Sequence, residues 1–148
     1  MKIFKKIAVV LLVILVVLQF IRPDKNLAEG DVIADFRAES QLPKNIDNTL
    51  ERACFDCHSN RTQYPWYAEI APVSYWIAGH VNEGKEHLSF SDWATYTAKR
   101  KDHKLEELAE EVQEKHMPLE SYLWIHDEAK LSEADITAIV NWANQARS

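Results

Sequence analysis

The amino-terminal 21 residues carry an almost unbroken run of apolar side chains, whereas the rest of the chain mixes apolar and polar positions. Residues 7–21 are apolar except for Gln19, and three lysines lie among the first six residues. A basic flank before an apolar helix is typical of a membrane-targeting segment whose amino terminus stays in the cytoplasm. No small residues suited to cleavage directly follow Ile21, and the weak site Ala28-Glu29-Gly30 lies far from the apolar run. We therefore expect residues 1–21 to be a signal anchor rather than a removed signal peptide.

The pattern of apolar and polar positions changes twice after this run. Residues 22–42 are polar and show no clear periodicity, which predicts a linker. From residue 43 to residue 148, apolar side chains recur at helical spacing, and no stretch alternates as a half-buried strand does. The predicted fold class is therefore all-α, with a single domain over residues 43–148.

Five helices are predicted in this domain. The first four are expected over residues 44–55, over residues 73–81, in a segment after Ser89 or Ser91 that carries Trp93, Tyr96 and Thr97, and over residues 104–115. Asn82-Glu83-Gly84 is expected to end the second of them. The last helix has the clearest signal, because the Ser132-x-x-Asp135 capping box precedes apolar residues at i, i+3, i+4 and i+7 from Ile136.

The candidate chemistry is concentrated in Cys54-Phe55-Asp56-Cys57-His58. Cys-x-x-Cys-His is the c-type haem attachment pattern. Two thiols on one turn of backbone can each add to a haem vinyl group, and the adjacent histidine can bind iron as the proximal ligand. Cys54 and Cys57 are the only cysteines in the chain, so one covalently attached haem c would account for both.

Other kinds of site also use two cysteines at this spacing. A thioredoxin-like Cys-x-x-Cys requires a βαβ context, which the helical pattern does not provide. A zinc site can combine Cys54 and Cys57 with two histidines, but the other histidines do not form the His-x3–5-His pair that such sites use. A disulfide between the two cysteines would close too small a loop to stabilise the fold much. The pattern therefore favours haem.

Met117, the single methionine beyond the initiator, is the candidate for the second axial ligand of iron. It precedes Pro118 in a loop before the last helix, and Pro118 cannot continue the helix before it. Thioether sulfur favours reduced iron and raises the reduction potential. Histidine alternatives stay open at His116, His80 and His126, and a simple core-filling role for Met117 is a further alternative.

Charge narrows the range of partners. After the apolar run, the chain keeps 14 of its 17 basic residues and all 23 acidic ones, which gives a net charge of −9. This balance argues against nucleic acid and against peripheral binding to anionic lipid. Acidic side chains also line one face of the predicted 104–115 helix. A solvent-exposed helix face is the simplest explanation, and a docking site for a basic redox partner is the more specific alternative.

Several stretches together carry a distinctive pattern. They are Ala53–Asn60, Tyr64–Tyr67, Ile70–Ser74, His80–Gly84, Leu88–Trp93, Met117-Pro118, Ile125-His126 and the terminal helix from Leu131. With these stretches, residues 43–148 resemble the small bacterial haem-binding domain family, a cytochrome c-like group. The resemblance implies a small helical domain wrapped on one covalent haem c, attached at Cys54 and Cys57, with His58 and Met117 as the iron ligands.

We expect an electron carrier rather than an enzyme. If protein side chains fill both axial positions of iron, a substrate cannot readily bind there, and single-electron transfer is the expected role. The haem domain is expected on the periplasmic side of the inner membrane, held there by the amino-terminal helix, with redox proteins as partners. A haem-based sensor or a haem enzyme with a labile sixth ligand is the alternative.

Overall fold

A computed structural model describes residues 2–147. Within these residues every regular element is helical, and the only strand-like pairing is an isolated antiparallel bridge between Leu27 and Arg61. The predicted all-α class is confirmed. The α-helices are α1 (Lys2–Leu18), α2 (Ala34–Glu39), α3 (Lys44–Ala53), α4 (Phe55–His58), α5 (Val73–His87), α6 (Ala98–Gln113), α7 (Glu120–Leu123) and α8 (Glu133–Ala146). Short 3₁₀ turns span Trp66–Glu69, Trp93–Thr95 and Asp127–Ala129.

Helix α1 contains most of the amino-terminal apolar run. All its side chains from Lys2 to Val17 are exposed to solvent. Among the helices of residues 2–147, none combines the length and the apolar character needed to cross a membrane. The structure therefore does not support the predicted anchor as a membrane-spanning helix.

The segment predicted to be a linker contributes to the core instead. Helix α2 lies within residues 22–42, and its Phe36 is completely buried. The Phe36 ring centroid lies 4.5 Å from that of Phe90 and 5.0 Å from that of Trp93. The linker interpretation is therefore wrong for this part of the segment. Six residues make fewer than two helical turns, so α2 is too short to show a period in the sequence.

Helix α6 begins at Ala98, after the helix predicted to carry Trp93 and before the start predicted at residue 104. The segment after Ser89 forms only the 3₁₀ turn Trp93–Thr95, and the α-helix starts at Ala98. Thr97 caps it, because the Thr97 hydroxyl accepts a hydrogen bond from the backbone N–H of Arg100 at 3.3 Å. Trp93 and Tyr96 are buried in the core, and this tertiary packing explains apolar positions that resembled a helical face.

Helices α6 and α8 pack against each other through the apolar faces predicted for them. Their buried side chains are Leu105, Leu108, Ala109 and Val112 on α6 and Ile139, Trp142 and Ala143 on α8. The predicted capping box is confirmed: Ser132 accepts from the backbone N–H of Asp135 at 3.1 Å, and the Asp135 carboxylate accepts from the Ser132 N–H at 2.9 Å. Both helices belong to the hydrophobic core, against which Cys54 also packs.

We predict that Phe36→Ala lowers the free energy of unfolding by about 3–5 kcal/mol, since it removes a fully buried ring and leaves a cavity. Phe20→Ala is the matched control, because the Phe20 side chain is 85% exposed and its loss should cost less than about 0.5 kcal/mol. Guanidinium denaturation followed by circular dichroism measures both. Equal effects of the two substitutions would show that α2 is not part of the folded core.

Candidate functional site

The Cys54–His58 segment folds as a tight turn at the end of α3. The Cys54 N–H still donates to the Leu50 carbonyl of α3 at 2.8 Å, and the Cys54 carbonyl accepts from the N–H groups of Cys57 and His58 at 3.2 and 3.0 Å. These hydrogen bonds place Cys54 and Cys57 on a single turn of backbone. Both cysteines are free thiols and partly buried.

The environment of the two thiols keeps them protonated. Burial raises the pKa of Cys54 to about 12, with a smaller contribution from Cys57. Burial and then the charge of Asp56 raise the pKa of Cys57 to about 11. A redox-active Cys-x-x-Cys or a zinc site uses thiolates, which a lowered pKa would favour. In the part of the chain that the structure describes, no group of three or more His, Cys, Asp or Glu side chains could hold a metal ion.

His58 is held by one of its two ring nitrogens. Its Nδ1 lies 2.9 Å from the Leu88 carbonyl oxygen, an acceptor that requires the proton to be on Nδ1. The other nitrogen, Nε2, then carries the lone pair that a metal can bind. Burial lowers the pKa of His58, which favours the neutral imidazole needed for ligation.

Helix α5 touches the cysteine turn with its backbone. A Cβ atom at Gly84 would lie 2.9 Å from the Cys57 carbonyl oxygen and 3.2 Å from the Cys57 Cβ, so only glycine fits there without a shift. Helix α5 continues through Gly84 to His87, and the prediction that Asn82-Glu83-Gly84 ends the helix is wrong. The glycine provides close helix-to-turn packing and does not break the helix.

An apolar cavity of about 90 Å³ opens beside Cys57. One wall is a face of α5, and the opposite wall comes from α7 and the loop after it. The lining residues from these two walls are Val73, Trp76, Ile77, His80 and Val81, and Leu119, Ser121, Tyr122, Ile125 and His126. Trp76 is 48% exposed and Ile125 61% exposed, so large apolar side chains reach the cavity mouth without being covered by protein.

Two hydrogen-bonded pairs form a polar side of this cavity. The Tyr122 hydroxyl donates to Asp56 Oδ2 at 2.9 Å, and burial followed by the Asp56 charge raises the pKa of Tyr122. The Tyr67 hydroxyl lies 3.1 Å from His126 Nε2, whose Nδ1 lies 3.1 Å from Glu128 Oε1. The rings of Tyr122 and His126 stack with centroids 4.1 Å apart.

Sequence reasoning gave no role in the site to Asp56 or Tyr122, and it expected Tyr67 only as one of several aromatic residues packed around the haem. Helix α7, which carries Tyr122, has four residues and therefore no detectable period. Tyr67 belongs to a 3₁₀ turn within an aromatic-rich stretch, and that clustering was the available signal for a shared apolar surface.

The haem-binding domain family matches the chain over residues 13–145. The chain belongs to the haem-binding domain family. No curated protein and no solved structure matches the chain. The matched residues include the Cys54–His58 turn and every residue that lines the apolar cavity. The predicted family is therefore confirmed, and haem binding is the property that it establishes.

The site of this haem-binding domain has the chemistry that haem requires. A porphyrin is large and apolar, and the cavity beside Cys57 is walled mainly by aliphatic and aromatic side chains. A neutral imidazole nitrogen is a common axial ligand of haem iron, and the hydrogen bond from Nδ1 to Leu88 leaves His58 Nε2 for that purpose. A buried nitrogen without a partner, His80 Nε2, belongs to the same cavity wall. The lining residues fit the group in their chemistry, and a cavity of about 90 Å³ is smaller than a porphyrin, so haem binding must widen it.

The predicted sixth ligand lies apart from these residues. Met117 is half-buried in the loop after α6, where its N–H donates to the Glu111 carbonyl at 3.2 Å, and it does not line the cavity. Its neighbour His116 is exposed and faces the carboxylates of Glu111 and Glu114 at 3.5 and 3.4 Å. His80 and His126 do line the cavity. Ligation by Met117 stays a prediction.

We predict that Gly84→Ala lowers both the haem content per chain and the melting temperature, because its Cβ would collide with the Cys57 carbonyl. Gly79→Ala on the same helix is the control, since a Cβ there meets no atom within 4 Å. That control should gain about 0.5–1 kcal/mol from helix propensity. Thermal unfolding and the haem absorbance per chain measure both variants. A stabilised Gly84→Ala protein with full haem content would contradict the close approach.

Proposed function

We propose that the domain binds one haem c covalently through Cys54 and Cys57, with His58 as an axial iron ligand, and that it transfers single electrons. The observation that carries the proposal is the cysteine turn itself: two protonated thiols on one turn, followed by a histidine whose Nδ1 is already engaged by Leu88. When bound, haem iron supplies a one-electron Fe(III)/Fe(II) couple.

The protein side of this function is to hold and shield the group. Leu88 fixes the rotation of the His58 ring, and a fixed ring lowers the reorganisation that accompanies each change of iron charge. The face of α5 that lines the cavity beside Cys57 is mainly apolar. Burial raises the pKa of both cysteine thiols, which disfavours the thiolate form that a nucleophile requires. This environment favours electron transfer over covalent catalysis.

The covalent link is tested with Cys54→Ala/Cys57→Ala. The unmutated protein should keep haem through denaturation and acid–acetone extraction, because thioether bonds survive both. The double variant should lose haem under the same treatment, and each single variant should keep it through one link. A pyridine haemochrome spectrum reports the number of vinyl groups that have reacted.

Two results would overturn this proposal. Haem that is extractable from the unmutated protein would exclude covalent attachment. Rapid binding of carbon monoxide by the unmutated reduced protein would show an open iron face and favour the sensor or enzyme alternative over electron transfer.

We also propose that residues 3–21, most of α1 together with the apolar residues after it, insert into the inner membrane and hold the domain on its periplasmic side. Support comes from the exposed apolar side chains of α1, a larger exposed apolar surface than soluble proteins usually carry. The basic residues at its amino-terminal end favour a cytoplasmic location for that end.

Contacts after α1 favour an uncleaved chain. The Asn26 side-chain amide donates to the Ser59 carbonyl at 2.6 Å and to the Thr62 hydroxyl at 3.0 Å. Its backbone N–H donates to the Tyr64 hydroxyl at 2.9 Å. Cleavage near residue 30 would remove Asn26 from the loop that follows His58. Retention of α1 therefore also keeps this part of the haem site together.

We predict that deletion of residues 2–18 releases the domain from the membrane fraction, since it removes the exposed apolar helix. Replacing Val10 and Val13 by Asp tests the same helix without shortening the chain, and both valines are exposed. Alkaline carbonate extraction of membranes followed by immunoblotting measures the release. Amino-terminal sequencing provides the opposing result: a mature chain that begins near Asp31 would identify a removed signal peptide.

A further inference from the structure

His80 carries an unexplained buried nitrogen. Its Nε2 is shielded from solvent and has no hydrogen-bond partner among the described residues. Its Nδ1 lies 4.0 Å from Glu83 Oε2, beyond hydrogen-bond range. A buried polar atom without a partner is costly, so such atoms in native structures call for a ligand or an ordered partner.

The His80 side chain belongs to the wall of the haem cavity. His80 lines the same cavity as Cys57 and lies one helical turn before Gly84, the residue whose backbone meets Cys57. The Trp76 ring packs edge-on against the imidazole with centroids 4.7 Å apart. The His80 ring is therefore held in the cavity wall, on the helix that touches the cysteine turn.

The other candidates for the second iron ligand are less well placed. Both ring nitrogens of His126 already have partners, Tyr67 and Glu128. His116 is exposed beside two carboxylates. Met117 does not line the cavity. His58 does not line it either, so a place in the lining favours His80 without by itself excluding Met117. Of these side chains, His80 alone combines a place in the cavity wall with a buried nitrogen that lacks a partner in the described structure.

We propose that His80 Nε2, rather than Met117, is the second axial ligand of the haem iron. The inference rests on the proposed attachment at Cys54 and Cys57 with His58 as the first ligand. A neutral imidazole suits the apolar cavity, because it binds iron through a lone pair and adds no charge. A bis-imidazole site favours oxidised iron more than a histidine–methionine site does, so the reduction potential should be low.

The test compares His80→Ala with Met117→Ala in the full-length haem-loaded protein. Optical and electron paramagnetic resonance spectra of the oxidised form report the axial ligands, and a redox titration reports the potential. The unmutated protein should be low-spin without the far-red methionine–iron band. His80→Ala should become high-spin and bind cyanide and carbon monoxide, and added imidazole should restore the low-spin spectrum. Met117→Ala should keep the unmutated spectrum and potential.

His80→Met keeps the test decisive if the alanine variant folds poorly. A thioether at position 80 should introduce the methionine–iron band and raise the potential. His103→Ala removes an exposed imidazole from α6, away from the cavity, and should not change the ligand spectrum.

Failure of this inference is distinct from failure of the proposed function. A methionine–iron band in the unmutated protein that disappears in Met117→Ala and persists in His80→Ala would overturn ligation by His80 and leave the covalent haem intact. Absence of covalent haem from the unmutated protein, seen by haem staining of a denaturing gel, would overturn the proposed function and this inference together.

Discussion

The structure depends on the close approach of helix α5 to the cysteine turn. Gly84 meets the Cys57 backbone at a distance that excludes any side chain, and this contact fixes the register of the whole helix. One turn earlier, the same register brings His80 to the cavity wall. Just past the helix end, it brings the Leu88 carbonyl to the His58 ring. The contact between Gly84 and Cys57 thus positions both His80 and the Leu88 carbonyl relative to the cysteine turn.

Features encoded by local chemistry could be predicted from the sequence. The capping box at Ser132 and Asp135 and the apolar face of α8 involve residues within four positions of each other, and both occur as predicted. The Cys54–His58 turn is equally local, because its spacing alone puts both thiols on one turn. The family match agrees with the prediction drawn from that motif.

Features created by tertiary contact could not be predicted in this way. Phe36 stands in a polar segment, and only its packing on Phe90 and Trp93 reveals it as a core residue. Gly84 resembled a helix terminator because propensity describes an isolated helix and not one pressed against another backbone. His80 was one histidine among several, and its unpaired nitrogen is visible only when the surrounding residues are in place.

The hydrogen bonds from Asn26 to the loop after His58 limit the distance between the domain and the end of α1. Asn26 follows the end of α1 at Leu18 by eight residues, and such a chain spans at most about 28 Å even when fully extended. Under the proposed insertion of α1 into a bilayer, the haem domain would stay within one protein diameter of the lipid surface and would not diffuse into the surrounding compartment. Its encounters with other proteins then follow lateral diffusion and surface density rather than bulk concentration.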